Sequence, residues 1–261
     1  MQANWDANTI DLHWYNGDTE ITVPTASQSC TYDGTLTPPA TIPTKTGYTF
    51  KGWTIRGLPS EYTKLQYIEF TGDQYIDTGV TVDQTSDVDV DFQSTSDGLV
   101  WLFGTRDYNG TNGIHKFSVQ YISSSSNKIW IQFDNTTSLE YGAPTGLTNQ
   151  SQRLARHRVR LSGNKCYLDD NLIYTITDTY TNFSSVNTLL IGANRASSGV
   201  SGARFKGKIY SFVYNKGENR RFNGIPAKRN SDNVVGMYDT VSKTFFTNAE
   251  TGSFIAGPVE Q

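Results

Sequence analysis

The chain has 261 residues, a formal net charge of -3 and a pI near 5.6, with 36% hydrophobic and 13% aromatic residues. That size and apolar share can fill the core of one large domain and a small one, while the mild acidity supplies no global field that would draw the protein to nucleic acid or an anionic membrane. No apolar run approaches the roughly 20 residues that span a bilayer, and residues 1–6 lack the charged and apolar regions of a signal peptide, so any export signal is expected outside this chain. The 15 Tyr, 13 Phe and 23 Gly, together with many Thr, Ser and Asn and no long run of helix formers, point to an all-β fold.

In chain order, the spacing predicts a first unit over residues 1–57. It holds a strand from Ile10 to Tyr15, a turn at Asn16-Gly17-Asp18 and a strand from Glu20 to Val23. Pro24, Pro38, Pro39 and Pro43 exclude long helices there. A short linker at Leu58-Pro59 leads to a second unit over 58–261, where short strands alternate with Gly, Asn, Asp and Ser turns. Strands are expected at Tyr67 to Phe70, Tyr75 to Asp77, Val88 to Phe92, Leu99 to Phe103, Phe117 to Ile122, Lys128 to Phe133, Arg156 to Leu161, Cys166 to Leu168, Leu172 to Thr177, Thr188 to Ile191 and Lys206 to Tyr214. Within these, period-two patterns flank turns at Gly163-Asn164 and Asp169-Asp170-Asn171. The natural architecture is a sandwich of two antiparallel sheets of five to seven strands each. Cys30 and Cys166 lie far apart, one in each unit, and are expected to be buried free thiols.

Residues 43–53, PTKTGYTFKGW, carry Gly47, Tyr48, Phe50, Gly52 and Trp53 at the spacing of the Listeria-Bacteroides repeat, which the first unit resembles. The resemblance implies a small β-grasp-like module, repeated in tandem on bacterial surface proteins, that projects a neighbour as a stalk. Residues 4–8 resemble the tail of a preceding copy, so a longer parent with further repeats is implied. A module this small needs Trp14, Tyr48, Phe50 and Trp53 for its own core. In the second unit, LQYIEFTGDQYIDTG (65–79), HRVRLSGNKCYLDDNLIYTI (157–176), LLIGANRASSGVSGARFKGKIYSFVYNKG (189–217) and VVGMYDTVSKTFFTNAETGSFIAGP (234–258) resemble the concanavalin A-like, laminin-G-like jelly roll. That superfamily holds lectins, adhesion modules, spacers and glycoside hydrolases, so the resemblance implies a fold and leaves function to the site.

Asp87, Asp89 and Asp91 alternate with Val88, Val90 and Phe92, which places three carboxylates on one strand face at about 7 Å intervals. A glycosidase needs one carboxyl to protonate the leaving oxygen and a second as nucleophile or base. The related hydrolases use a Glu-x-Asp-x-x-Glu strand, however, and none of the seven Glu lies within five residues of another. Arg156, Arg158 and Arg160 repeat the two-residue spacing, so if the strands are neighbours the rows form a cross-strand charge ladder. Two strands end in polar rims. One supplies Arg106, Asp107, Tyr108 and Asn109, and the other Asn194 and Arg195. Amides, carboxylates and an aromatic together suit a glycan site, although Asp, Asn and Gly also simply make turns. A Ca2+ ion at such a rim is an open expectation, as lectin-like jelly rolls often hold one, but no EF-hand-like spacing appears and no resident cofactor is expected. His13, His115 and His157 lack zinc-like partners, and no nucleophile elbow or Walker loop occurs. Trp101 and Trp130 sit within strand patterns and are expected in the core.

The expected protein is therefore a non-enzymatic recognition or adhesion fragment, extracellular or on a bacterial surface, binding glycan or a surface protein through rim loops. It is expected neither to bind nucleic acid nor to insert in a membrane. The alternatives are a passive spacer or phage-fibre-type assembly element, and a divergent glycoside hydrolase using the Asp87 to Asp91 row.

Overall fold

The computed structural model describes residues 9–260 except 17–18, 32–34, 45, 47–48, 51–52, 54–57, 108–114, 122–126, 135–140, 178–181 and 197–198. The chain divides into two units, Met1–Arg56 and Gly57–Gln261. In the first, β1 (Thr9–Asp11), β2 (Trp14–Asn16), β3 (Thr19–Ile21) and β4 (Ser29–Thr31) form two antiparallel pairs, β1 with β4 and β2 with β3. Trp14 meets Trp53 edge-on at 5.0 Å, and Phe50 lies 5.3 Å from Trp53. The Trp14 indole N–H donates to the Ser27 carbonyl at 2.5 Å. These three aromatics pack on one another but are each only half-buried, and Gly47, Tyr48 and Gly52 lie outside the described residues.

The second unit runs through β5 (Tyr62–Lys64), β6 (Ile68–Thr71), β7 (Ile76–Asp83), β8 (Ser86–Ser94), β9 (Val100–Arg106), β10 (Lys116–Tyr121), β11 (Lys128–Asp134) and β12 (Tyr141–Pro144) to a one-turn helix, α1 (Gln150–Arg153). It continues through β13 (Arg156–Ser162), β14 (Lys165–Leu168), β15 (Asn171–Thr175), β16 (Ser184–Ile191), β17 (Arg195–Ala196), β18 (Gly199–Val200), β19 (Lys206–Lys216), β20 (Asn219–Arg229), β21 (Val235–Asp239), β22 (Thr244–Phe246) and β23 (Ile255–Ala256). Among the described residues these strands build two large antiparallel sheets. The smaller, of six strands, has the order β12-β11-β10-β9-β16-β7. The larger, of eleven, has the order β15-β14-β13-β8-β19-β20-β21-β22, with β5 on β20, and β6 linking β19 to β23. It exceeds the expected five to seven strands because β5 at the start of the unit and β20 to β23 near its end, none of them expected, join the expected β6, β8, β13, β14, β15 and β19.

The core is the layer between these sheets. Phe103 and Phe117 of the six-stranded sheet and Phe212 and Phe222 of the larger one are fully buried, and Phe103 reaches Phe212 at 6.0 Å. Phe92 of β8 meets Tyr121 of β10 edge-on at 4.7 Å. Both expected hairpin turns are present, with Ser162 opposite Lys165 around Gly163-Asn164 and Leu168 opposite Asn171 around Asp169-Asp170. Asp169 and Asp170 both take positive φ, at 49° and 63°, as a tight hairpin turn requires. No helix among the described residues is long and apolar enough to cross a membrane.

Helix α1 is held by a capping box. The Asn149 side chain accepts from Gln152 N, and Gln152 Oε1 accepts from Asn149 N at 3.2 Å. Arg153, at its end, donates to both Asp97 oxygens at 2.6 and 2.9 Å, and this hydrogen bonding holds the Asp97 carboxyl below the usual carboxylate range. A depressed carboxyl stabilises the fold above its unfolded pKa of about 3.9, and the contribution is lost as pH falls through the folded value. The gap in melting temperature between wild type and Asp97→Asn should therefore be steady above about pH 4 and close as pH falls further below it. A constant difference from pH 2 to pH 7 would contradict the pairing.

Cys166, on β14, is fully buried, and burial pushes its thiol up to about 12, whereas Cys30 is half-buried. Thiolate is the reactive form. At pH 8 a thiol reagent should modify Cys30 alone in the native protein and reach Cys166 only on unfolding. Equal native rates would contradict this placement.

Candidate functional site

The acidic row is the first feature to place. Strand β8 lies beside β13, with Asp91 opposite Arg158 and Asp89 opposite Arg160. The ion pairs run diagonally. Arg156 Nε and Nη2 donate to Asp91 at 2.8 and 2.7 Å, Arg158 pairs with Asp89, and Arg160 Nε and Nη2 donate to Asp87 at 2.9 and 2.5 Å. The expected ladder thus forms. Each carboxylate meets its arginine through both oxygens and is 15–25% exposed, beneath guanidinium groups that are 46–55% exposed. Arg156 also stacks on Tyr210 at 3.7 Å. Half-exposed pairs contribute at most about 1 kcal/mol each, and carboxylates clamped in this way brace a sheet.

At the first rim, Arg106 ends β9 half-buried, and Asp107 is only 2% exposed. The Asp107 carboxylate accepts the backbone N–H groups of Val186 at 2.7 Å and Asn187 at 2.9 Å, with His115 Nδ1 at 3.4 Å. It therefore ties the end of β9 to β16, which is the turn-making role open to Asp beside such loops. Tyr108 and Asn109 lie outside the described residues. No three His, Cys, Asp or Glu among the described residues cluster as metal ligands.

The other rim leads onto a sheet face. Asn194 is 2% exposed; its Oδ1 accepts from Arg195 N at 2.9 Å and its Nδ2 approaches Gln132 Oε1 at 3.4 Å. Arg195 Nη2 donates to Asp77 Oδ2 at 2.8 Å and to Thr188 Oγ1 at 2.9 Å. These side chains cross the face of the six-stranded sheet turned away from the core. Alternation assigns that face: Phe117, Val119 and Tyr121 of β10 and Ile129, Ile131 and Phe133 of β11 join the core, so Lys116, Ser118 and Gln120, and Lys128, Trp130 and Gln132, point the other way.

Strand register then sets out the face in rows. Trp101, Gln120, Trp130 and Gly142 form one, running across β9, β10, β11 and β12. Gly104, Ser118 and Gln132 form the next, and Arg106 stands opposite Lys116 in a third. Ser118 Oγ donates to Gln132 Oε1 at 3.0 Å. A Cβ at Gly104 would fall 2.6 Å from both Asn194 Oδ1 and Ser118 Cβ, so the glycine makes room for the amide laid over it. Trp101 and Trp130, expected in the core, both lie outside the core cluster on this outer face, although Trp101 is buried as expected. Trp101 is 8% exposed, with its indole N–H donating to Ser201 Oγ at 3.0 Å, while Trp130 is half-exposed. The face thus gathers Asn194, Arg195 and Arg106, which sequence singled out, with Gln120, Gln132, Ser118 and the two tryptophans, which it did not. A signal existed in KFSVQY and KIWIQF, where Phe, Val, Tyr and Ile alternate with Ser, Gln and Trp; the indole was grouped with the apolar set. Carboxamides and hydroxyls that donate and accept, set between indoles, can hold a polyhydroxylated ligand.

Among known proteins, no curated protein matches the chain. The carbohydrate-binding module CBM40 of a Ruminococcus gnavus IT-sialidase is similar in structure at a TM-score of 0.44 and 16% sequence identity, covering 57% of this chain and 89% of that one. Residues 14–76 match the family model of the Listeria-Bacteroides repeat domain, a span that crosses from the first unit through β6 to the start of β7 in the second.

Proposed function

We propose that the chain is a non-enzymatic recognition fragment of a bacterial surface or secreted protein, in which the sandwich binds glycan on the outer face of its six-stranded sheet and the repeat unit serves as a stalk. The observation that carries this reading is the composition of that face. Ser118, Gln120, Gln132 and Asn194 are buried at 0–7% exposure on the side away from the core, beside Trp101 and Trp130. A sheet face whose task is only to shed water has no use for buried amides, which are costly to desolvate. The match to a repeat domain over residues 14–76 supports the stalk and the surface setting. Several copies on one parent would add avidity. The hydrolase alternative has less support, because the Asp87 to Asp91 row is bound up in arginine pairs.

A glycan-array screen of the full chain, with and without Ca2+, tests the proposal. Binding is expected in both conditions. It should weaken by about tenfold or more in Gln132→Ala/Asn194→Ala, through the loss of the amide network that orders this face, and stay unchanged in Asp89→Asn. Binding that survives the double variant and is lost in Asp89→Asn would move the site to the ladder face. No glycan binding in any form would favour a protein ligand or a spacer.

A further inference from the structure

We infer that Trp101, Gln120 and Trp130 form the primary sugar subsite of this face, and that it takes a neutral pyranose presenting two hydroxyl groups on adjacent carbons. The inference rests on the glycan reading above and deepens it. Gln120 sits on the middle strand, in register with Trp101 on one side and Trp130 on the other, so each indole rises about 4.8 Å to either side of it. Its neighbours on the face satisfy one another, Ser118 with Gln132 and Asn194 with Arg195 N. Gln120 differs: it is 7% exposed, and its carboxamide has no hydrogen-bond partner among the described residues. Its amide atoms are not among the fully buried unpartnered ones, so they remain open to solvent and can exchange water for a ligand. Placed between two indoles at a surface, such a group is poised for a partner that arrives from outside.

The carboxamide selects the class of that partner. Along one edge it offers an N–H donor beside a carbonyl acceptor. Two neighbouring hydroxyls answer both at once, one accepting from Nε2 and the other donating to Oε1. A carboxylate only accepts, so it would leave Oε1 facing a negative oxygen. A trans acetamido group shows its N–H and C=O on opposite edges and can answer only one. The half-exposed Trp130 ring supplies the apolar platform for the C–H face of the sugar, and Lys128 holds its ammonium 5.9 Å from that ring's centre. Trp101, nearly buried and with its indole N–H committed to Ser201, forms the fixed wall.

The test is calorimetric titration of the full chain with neutral gluco-, galacto- and manno-oligosaccharides, alongside N-acetylhexosamine and uronic-acid oligosaccharides, for wild type, Gln120→Leu and Trp130→Ala. A neutral series should bind best and weaken about tenfold or more in each variant. Because the Gln120 carboxamide makes no hydrogen bond within the described fold, Gln120→Leu removes none, and its melting temperature should stay close to that of wild type while binding falls. A purely structural glutamine would lose both together, which would overturn the subsite. Preference for N-acetylated or acidic sugars with retained sensitivity to Gln120→Leu would overturn the neutral class. Glycan binding that survives Gln120→Leu and Trp130→Ala but is lost in Gln132→Ala/Asn194→Ala would overturn the subsite and leave the face standing. Absence of glycan binding by every form would overturn both readings.

Discussion

Replacing Phe212 with alanine is expected to lower the unfolding free energy of the sandwich by about 3–5 kcal/mol. Phe212 is fully buried at the middle of β19, with its ring 6.0 Å from Phe103 across the sheet interface and 6.0 Å from Phe222 on the adjacent strand. Truncation removes the transfer free energy of the ring and leaves a cavity where the two sheets meet, and neighbours held in two separate sheets cannot collapse far into it. Urea unfolding should show the loss as a lower midpoint with an unchanged slope. A loss below about 1 kcal/mol would mean that Phe103 and Phe212 do not share one core.

The second large effect is expected at Gly207, for a backbone reason. Its φ is 145°, outside the range of L side chains, and an added Cβ would fall 2.8 Å from the Phe205 ring and 2.9 Å from Ser94 Cα, closer still to the Gln93 carbonyl oxygen. The obstacle is chiefly backbone of β8, which is held by β13 and β19 on both sides and cannot yield. Gly207→Ala should therefore cost about 3 kcal/mol or more. Gly202→Ala is the control: its Cβ meets nothing within 4 Å and no unusual φ applies, so the change should stay within about 0.5 kcal/mol. Equal effects at both positions would contradict the close approach of β19 to β8.

These effects arise in parts of the fold that were unequally legible in the sequence. The strands with clean alternation were readable, and so was the ladder: Asp87, Asp89, Asp91 and Arg156, Arg158, Arg160 share a two-residue period, and only their adjacency needed the structure. Strand β20 was not readable. Its inward positions are Phe222, Gly224 and Pro226, and the last two look like turn residues; Gly224 is small because Met237 packs over it, and Pro226 serves through its carbonyl, which accepts from Leu65 N at 2.9 Å. The site was legible only in part. Asn194 and Arg195 were found at a rim, but their partners Gln132, Asp77 and Thr188 are distant in sequence. The partners that the structure gives Asp107, the N–H groups of Val186 and Asn187, lie some 80 residues on and left no mark near it in sequence. Trp101 was assigned inward because β9 is buried on both sides, and burial on both faces erases the polar marks that separate core from surface; Trp130, on β11, was grouped with the apolar set of its strand.

Recognition is proposed to take place on the outer face of the six-stranded sheet. The most direct measurement is a heteronuclear NMR titration following the side-chain N–H signals of Gln120, Gln132, Trp101 and Trp130 as a bound oligosaccharide is added, with the arginine side-chain signals of Arg156, Arg158 and Arg160 as the reference face. The amide and indole signals are expected to shift together and saturate with one affinity while the arginine signals stay still. Shifts confined to the arginine ladder, with Gln120 and Trp130 unmoved, would contradict it.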